Sequence, residues 1–598
     1  MTTKKLPKRQ ELPEDSTWNL KTIYSNEAAW EADFQSVKEQ IPRLESMAGT
    51  LGDSPTQFLA CLELRDEITK PMEQLLVYAH MHKDEDNGNG YYQALYGRAM
   101  SLITDLYSAS SFITPEILSM PEDRLEGFLS SEPRLGLYRH FLDQLIRERA
   151  HFRSAEVEML LAQSGEVARI PHESYTMLAN VDMKFPAIVD ESGNSVELSQ
   201  SRYNQLRESP ERKVRRDAFE AVHQTYYGFK NTIASVLAGS VRSDIFYARS
   251  RGYASALEAA LGPNNIPIEV YHNLIDSVDR NLPKLHRYMS LRKRLLGLND
   301  LHHWDLYVPM VPDIQVEIPY EEAVRTVENA LAPMGPEYLA ALKKALTSRW
   351  VDVYENDGKT SGAYSGGSYT TNPFILMNYQ GMLNDVFTLV HELGHSMHSY
   401  FTRTTQPYIY GDYTIFIAEV ASTLNESLLT DHLLKGSTDP KLRAYLVNMY
   451  LERFRTTLFR QTMFAEFELE IHSRAERGES LTPDDLSTIY RELNIKYYAP
   501  EVFPDEGISI EWARIPHFYS AFYVYQYATG ISAATALAQQ ILHEGEPAVQ
   551  RYLRFLKSGS SKYSIDLLRE AGVDVTSPEP VQQAMDVFDG LLDEMEKL

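Results

Sequence analysis

Apolar residues recur at helical spacing along most of this 598-residue chain, with acidic and basic residues on the opposite faces. That period decides the class: mainly α. Strand-like patterning is confined to two short patches. In residues 181–199 the turn Glu191-Ser192-Gly193-Asn194 separates two β-prone runs and predicts a hairpin. Residues 358–379 predict a small sheet. Residues 1–110 read as a helical region, with Trp18 and Leu20 opening an amphipathic stretch. Residues 111–200 read as short helices broken at Pro115, Pro121 and Pro133 and ending in the hairpin. Residues 201–598 form the third expected region, helical from Tyr203 to Leu261 and again from Asp385 onward. No repeat of 20–50 residues and no low-complexity tract interrupts them.

Composition removes several function classes. Lys and Arg total 58 against 83 Asp and Glu, a net charge of −25. Nucleic acid and anionic membranes select basic surfaces, so neither is an expected partner. The single cysteine, Cys61, excludes an internal disulfide and any Cys-rich zinc or iron–sulfur site, and it fits a reducing compartment. The N-terminal MTTKKLPKRQELPEDSTWNL has no apolar run of the kind a secretory leader carries. Thr360–Asn384 and Phe518–Leu542 each run 25 residues without charge, long enough to suggest a membrane span. The first is rich in glycine and hydroxyl residues and holds Pro373. The second holds Tyr519, Tyr523, Tyr525, Gln526, Tyr527, Gln539 and Gln540. Both read as segments buried inside a large soluble protein, and the cytoplasm is the expected location. Oligomeric state is left open.

The chemistry is announced at His391, where the chain reads HELGH. A helix sets residues i and i+4 on one face, so His391 and His395 can present imidazoles to one metal ion. Glu392 projects beside them, placed to accept a proton from a metal-bound water. Asn384 or Asp385 is the expected cap, and Val386, Phe387, Leu389, Val390 and Leu393 form an apolar face. Those apolar flanks make the helix a buried one, and buried histidines need partners. Gly394, between the ligands, costs about 1 kcal/mol against Ala in a helix, which predicts close packing there.

A catalytic zinc takes three protein ligands and keeps one position open. Asp412, Glu419, Glu426 and Asp431 are the downstream candidates. Glu419 interrupts an otherwise uncharged run in a strongly apolar helical segment, so chemistry alone favours it over Glu426. The competing reading is a structural carboxylate paired with an arginine such as Arg403. Ser422, Thr423 and Glu426 share the face of Glu419 and are candidates to orient it or the histidines. A fourth ligand at His398 would close the site, so His398 is expected to pack or to orient a ligand.

Tyr519, Tyr523 and Tyr527 recur every four residues, one face of a helix. Such a stripe is commonly core. Three phenols in a row, each needing a partner when buried, with His517 at the entry, also suit a polar wall that donates hydrogen bonds to an oxyanion.

These residues resemble a known family. HELGHSMH, followed 28 residues after its first His by the Glu of FIAEVAST, resembles the M3 metallopeptidases, which include thimet oligopeptidase and neurolysin. GAYSGGSYTTNPFILMNYQGMLNDVFTLVHELGHSMHSYF, RSDIFYARSRGYASALEAAL and HFYSAFYVYQYATG resemble their bacterial branch, oligoendopeptidase F. The likeness spans nearly the whole chain. Thr360, where many relatives carry Arg, departs from the pattern without touching the metal chemistry. The resemblance implies a helical shell around a deep substrate cleft, oligopeptide substrates and one zinc ion per chain. It implies zinc ligands His391, His395 and Glu419, and Glu392 as general base. It also implies that His517 and two tyrosines contact the scissile carbonyl and the peptide. Aligning on Gln526 assigns these to Tyr523 and Tyr527, with Tyr525 as the competitor and substrate contact. Pro373–Tyr379 reads as a short strand feeding the metal helix. As an edge strand it would pair with an extended peptide, making Phe374 and Leu376 substrate contacts. The alternative is an internal strand that only positions the helix. Gly366 and Gly367 are weak hinge candidates.

The expected activity is a zinc endopeptidase cleaving oligopeptides. A zinc carboxypeptidase of similar helical-bowl type and a non-catalytic peptide-binding protein are the alternatives. An HExxH aminopeptidase lacks an evident anchor for a free α-amine.

Overall fold

The computed structural model describes residues 5–311 and 317–598; the first four residues of the N-terminal segment lie outside them. The protein is mainly α. Its helices carry the periodicity inward: Leu51, Phe58, Leu62, Ile68, Met72 and Leu75 are all fully buried, along or just before the helix Pro55–Glu85. Ser, Asn, Thr and Asp caps start many of the helices, as at Asn26, Ser54, Ser255 and Thr482, where the side chain accepts an orphan backbone N–H.

The strands make three small sheets. β1 (Ala187–Val189) and β2 (Ser195–Glu197) form the expected antiparallel hairpin, closed by Gly193 at φ +81°. β3 (Leu301–His302) pairs parallel with the late strand Val502–Phe503. The third sheet lies beside the metal helix and contains β4 (Val351–Asp352), β5 (Tyr364–Gly366) and β6 (Phe374–Leu376) in the order β4-β6-β5.

That order corrects one expectation. β6 is the central strand, parallel to β4 and antiparallel to β5. Its Ile375 N–H donates to Trp350 O at 2.8 Å and Met377 N–H to Asp352 O at 2.8 Å, so its backbone is already paired. Phe374 and Leu376 are wholly buried. They are core residues that seat the metal helix, not substrate contacts. A buried charge cluster pins this sheet. Asp352 and Lys359, both with fully buried side chains, pair at 2.7 Å, and Arg9 reaches the same carboxylate. Lys359 Nζ also donates to Tyr354 O at 2.7 Å, so the buried ammonium is satisfied.

The chain divides into two compact units. Unit 1 comprises Met1–Ala150, Gln315–Leu433 and Ala534–Val573. Unit 2 comprises His151–Ile314, Leu434–Ala533 and Asp574–Leu598. The contiguous regions 1–110, 111–200 and 201–598 expected from the sequence cut the chain elsewhere, because each unit is assembled from three separated segments.

Candidate active site

The metal helix runs Leu383–Thr405 in unit 1. Its start differs from expectation. Met382 is the residue before the first turn, and Asp385 caps from within, accepting Met382 N–H at 2.9 Å and Gln380 N–H at 2.8 Å. The apolar face is buried as expected at Val386, Leu389, Val390 and Leu393. A second helix, Ile415–Gly436, crosses it at Gly394. A Cβ on Gly394 would stand 2.5 Å from Ser422 Cα and 2.7 Å from Ala421 O, so glycine alone permits the crossing. Asn425, fully buried, ties the pair: its Nδ2 donates to Val390 O at 3.2 Å and its Oδ1 accepts Tyr338 Oη at 2.9 Å.

The crossing brings His391, His395 and Glu419 together, one ligand atom from each lying within 4.8 Å of the others. Glu419 Oε2 is 3.5 Å from His391 Nε2 and 3.7 Å from His395 Nε2. Two imidazoles and one carboxylate converging at this spacing suit a divalent metal with an open position. The remaining groups hold these ligands in place. Glu426 Oε1 lies 2.5 Å from His391 Nδ1, which turns Nε2 toward Glu419. Ser422 Oγ donates to Glu419 Oε2 at 2.9 Å. His395 bonds the Ala418 backbone, and its burial beside His391 pushes its pKa down to about 4, keeping the imidazole neutral as a ligand must be.

Glu392 is 7% exposed. Burial raises its pKa, Glu419 adds to the rise, and His391 opposes it. The Ser365 N–H of β5 donates to this carboxylate, and Ser365 Oγ meets Ser396 Oγ at 2.8 Å. Ser365 was not legible as a site residue, since its role depends on a strand passing a helix. Arg403 does not pair with Glu419, contrary to the competing reading. His398 is packing: it is wholly buried, its ring stacks on Tyr413 with centroids 3.6 Å apart, and burial lowers its pKa to about 3.

The aromatic segment lies in unit 2 and is not one helical face. Pro516–Tyr519 is a short 3-10 turn, and the helix begins only at Tyr525. Between them the chain reverses at Phe522, φ +54°, whose N–H donates to the buried Glu468 carboxylate at 3.1 Å. The turn gathers His517, Tyr523 and Tyr527, with ring centroids 6.3, 6.1 and 5.4 Å apart. Tyr519 leaves the group and stacks on Tyr175 at 4.6 Å. Tyr525 is 2% exposed against Tyr271, at 5.2 Å, so it is a core residue rather than a substrate contact. Glu468 carried no sequence signal, because its partner is a backbone amide 54 residues away.

Residues 205–587 match the family model Peptidase family M3, and residues 116–185 match Oligopeptidase F. The chain belongs to peptidase family M3. This M3 peptidase is 50% identical over 593 residues to Oligopeptidase PepF of Bacillus subtilis, covering 99% of this chain and 88% of the relative. It is 42% identical over 591 residues to an oligoendopeptidase F homolog of Lactococcus lactis, covering 99% and 98%. Its fold matches oligoendopeptidase-F of Enterococcus faecium with a TM-score of 0.75 at 41% identity, over 96% of this chain and 99% of that one. A crystal structure from Chlamydophila abortus matches at a TM-score of 0.94 and 37% identity, over 99% and 100%.

Proposed function

We propose that this M3 peptidase is a zinc-dependent endopeptidase hydrolysing internal bonds of oligopeptides. The observation that carries the reading is the convergence of His391, His395 and Glu419 beside the buried Glu392. The names of its relatives support the substrate class. His391, His395 and Glu419 would hold one zinc, which would supply a Lewis acid for the scissile carbonyl and for the attacking water. Glu392 takes the proton of the attacking water on its carboxylate and delivers it to the leaving amine. Its burial raises its proton affinity, which favours the first of these steps. Glu426 and Ser422 fix the ligands so that they need not reorganise during turnover. His517, Tyr523 and Tyr527 supply hydrogen-bond donors for the oxyanion. That role is supported by the family resemblance and by their gathering at one turn.

Peptide binding belongs to β5 rather than β6. β5 is an outer strand of its sheet, and Ser365 directs its N–H away from β6 toward Glu392. An extended peptide added to this edge gains backbone hydrogen bonds independent of its sequence. Among the described residues no helix is long and apolar enough to cross a membrane. We assign the cytoplasm on the buried, unpaired Cys61.

The test is Glu392→Gln with metal analysis. It is expected to bind zinc stoichiometrically while kcat falls at least about 100-fold; undiminished hydrolysis sinks the mechanism. Peptides blocked at both termini separate an endopeptidase, which cuts them, from a carboxypeptidase, which does not.

A further inference from the structure

β5 leads away from the metal ligands toward a polar cavity in unit 1. Ser365 lies beside Ser396, and two residues on Gly367 lies against Arg403 near the end of the metal helix. A Cβ on Gly367 would stand 2.7 Å from Asn372 O and 3.3 Å from Arg403 Nη1. Gly367 is therefore required by close approach rather than as a hinge. The loop after it is tied down, with Tyr369 Oη donating to Gln406 O at 2.7 Å. Between this loop, the metal helix and the helix Pro55–Glu85 lies a cavity of about 450 Å³.

Its charged lining is Arg65, Asp66, Glu73, Arg403 and Asp412. The acids have partners of their own. Asp66 accepts Arg65 at 2.6 Å and Tyr138 Oη at 2.8 Å. Glu73 accepts Tyr408 Oη at 2.7 Å. Asp412 is exposed and accepts the Tyr413 N–H at 2.9 Å. Arg403 makes no close ion pair or side-chain hydrogen bond among the described residues, and Glu73 acts on it only through space. It is half-buried, and its Nη1 lies against Gly367 without an acceptor. The part of the guanidinium that lines the cavity carries its charge to it, and a planar fork matches a carboxylate.

Arg403 lies eight residues past His395 on one helix, about 12 Å along the axis at about 1.5 Å per residue. An extended peptide covers that distance in about four residues at about 3.3 Å each. We propose that this cavity is a subsite for a carboxylate of the bound peptide, with Arg403 as the paired cation, three or four residues from the cleaved bond. The inference rests on the reading of β5 as the peptide-binding edge. The carboxylate comes from an Asp or Glu side chain or from the peptide's C-terminus.

The test uses two peptide series around one cleavage sequence, with products assigned by mass spectrometry. One series carries Glu or Gln at each position two to five residues either side of the bond. The other ends at those positions in a free carboxylate or an amide. The zinc-loaded wild type is expected to favour the carboxylate by about tenfold in kcat/KM at one position. The series in which this occurs identifies the source. In Arg403→Gln the ratio is expected to fall close to one; Arg403→Met, which keeps the packing of the stem, gives the same readout if Arg403→Gln does not fold. A wild type that cuts both members equally at every position overturns the subsite while leaving the peptidase reading intact. So does a preference that survives in the variants. Failure to cut any peptide defeats the peptidase reading and this proposal with it.

Discussion

His391 is held from two sides, by Glu426 at Nδ1 and by Glu419 facing Nε2. The division of labour between these acids shows what a residue pattern can convey. His391, Glu392 and His395 were legible because their geometry is local, set by one turn of one helix. Glu419 and Glu426 share a helical face, and periodicity alone ranks them only by chemistry. The crossing at Gly394 separates them, since it sets Glu419 opposite both imidazoles and Glu426 behind one. Glu426→Gln is therefore expected to weaken metal binding about 10- to 100-fold without removing a ligand. Competition with a chromogenic chelator measures this, and unchanged affinity would show that Glu426 does not orient His391.

At the scale of elements, the metal helix was readable from its apolar face, and the hairpin β1–β2 from its turn. The place of β6 was not. Phe374-Ile375-Leu376 is apolar without alternation, a pattern that marks burial on both faces and leaves strand order to the partners. β4 and β5 come from chain segments on either side of a long loop, so centrality was a tertiary outcome. The tyrosine stripe failed for a different reason. Period four suits a helix, but the left-handed turn at Phe522 breaks the segment, and the amide is held there by Glu468. His517, Tyr523 and Tyr527 meet because of that turn. Gly394 makes the strongest prediction at this scale. Gly394→Ala places a methyl against the backbone of Ala421 and Ser422 and forces the helices apart. The expected cost is about 1–3 kcal/mol in denaturant unfolding, accompanied by weaker metal binding. A variant as stable and as metal-tight as wild type would mean that the crossing is not sterically set.

At the scale of the whole molecule, each unit is drawn from three distant stretches of chain. Helical periodicity reports which face of a segment is buried and not which segment buries it, so the sequence offers contiguous regions where the packing units are discontinuous. The buried histidines make stability depend on pH. In unit 2, burial lowers the His223 pKa to about 4; Glu511 opposes the fall, while Arg514 and His303 add to it. In the unfolded chain a histidine titrates near about 6.5. Between those values the unfolded state binds the proton and the folded state does not. The stabilising contribution is thus complete above about pH 6.5 and lost progressively as pH falls to about 4, to the extent of at most about 3 kcal/mol. The difference in melting temperature between pH 7 and pH 5 is expected to shrink in His223→Leu; an unchanged difference would remove His223 as a contributor. The sequence by itself determined a mainly α chain carrying one HExxH metal helix, because helical period and i,i+4 spacing are local properties of the backbone. Tertiary structure alone decided which carboxylate faces the imidazoles, which strand is the outer one and which tyrosines join His517. Those depend on where separate segments cross, and crossings are fixed by close packing at points such as Gly394.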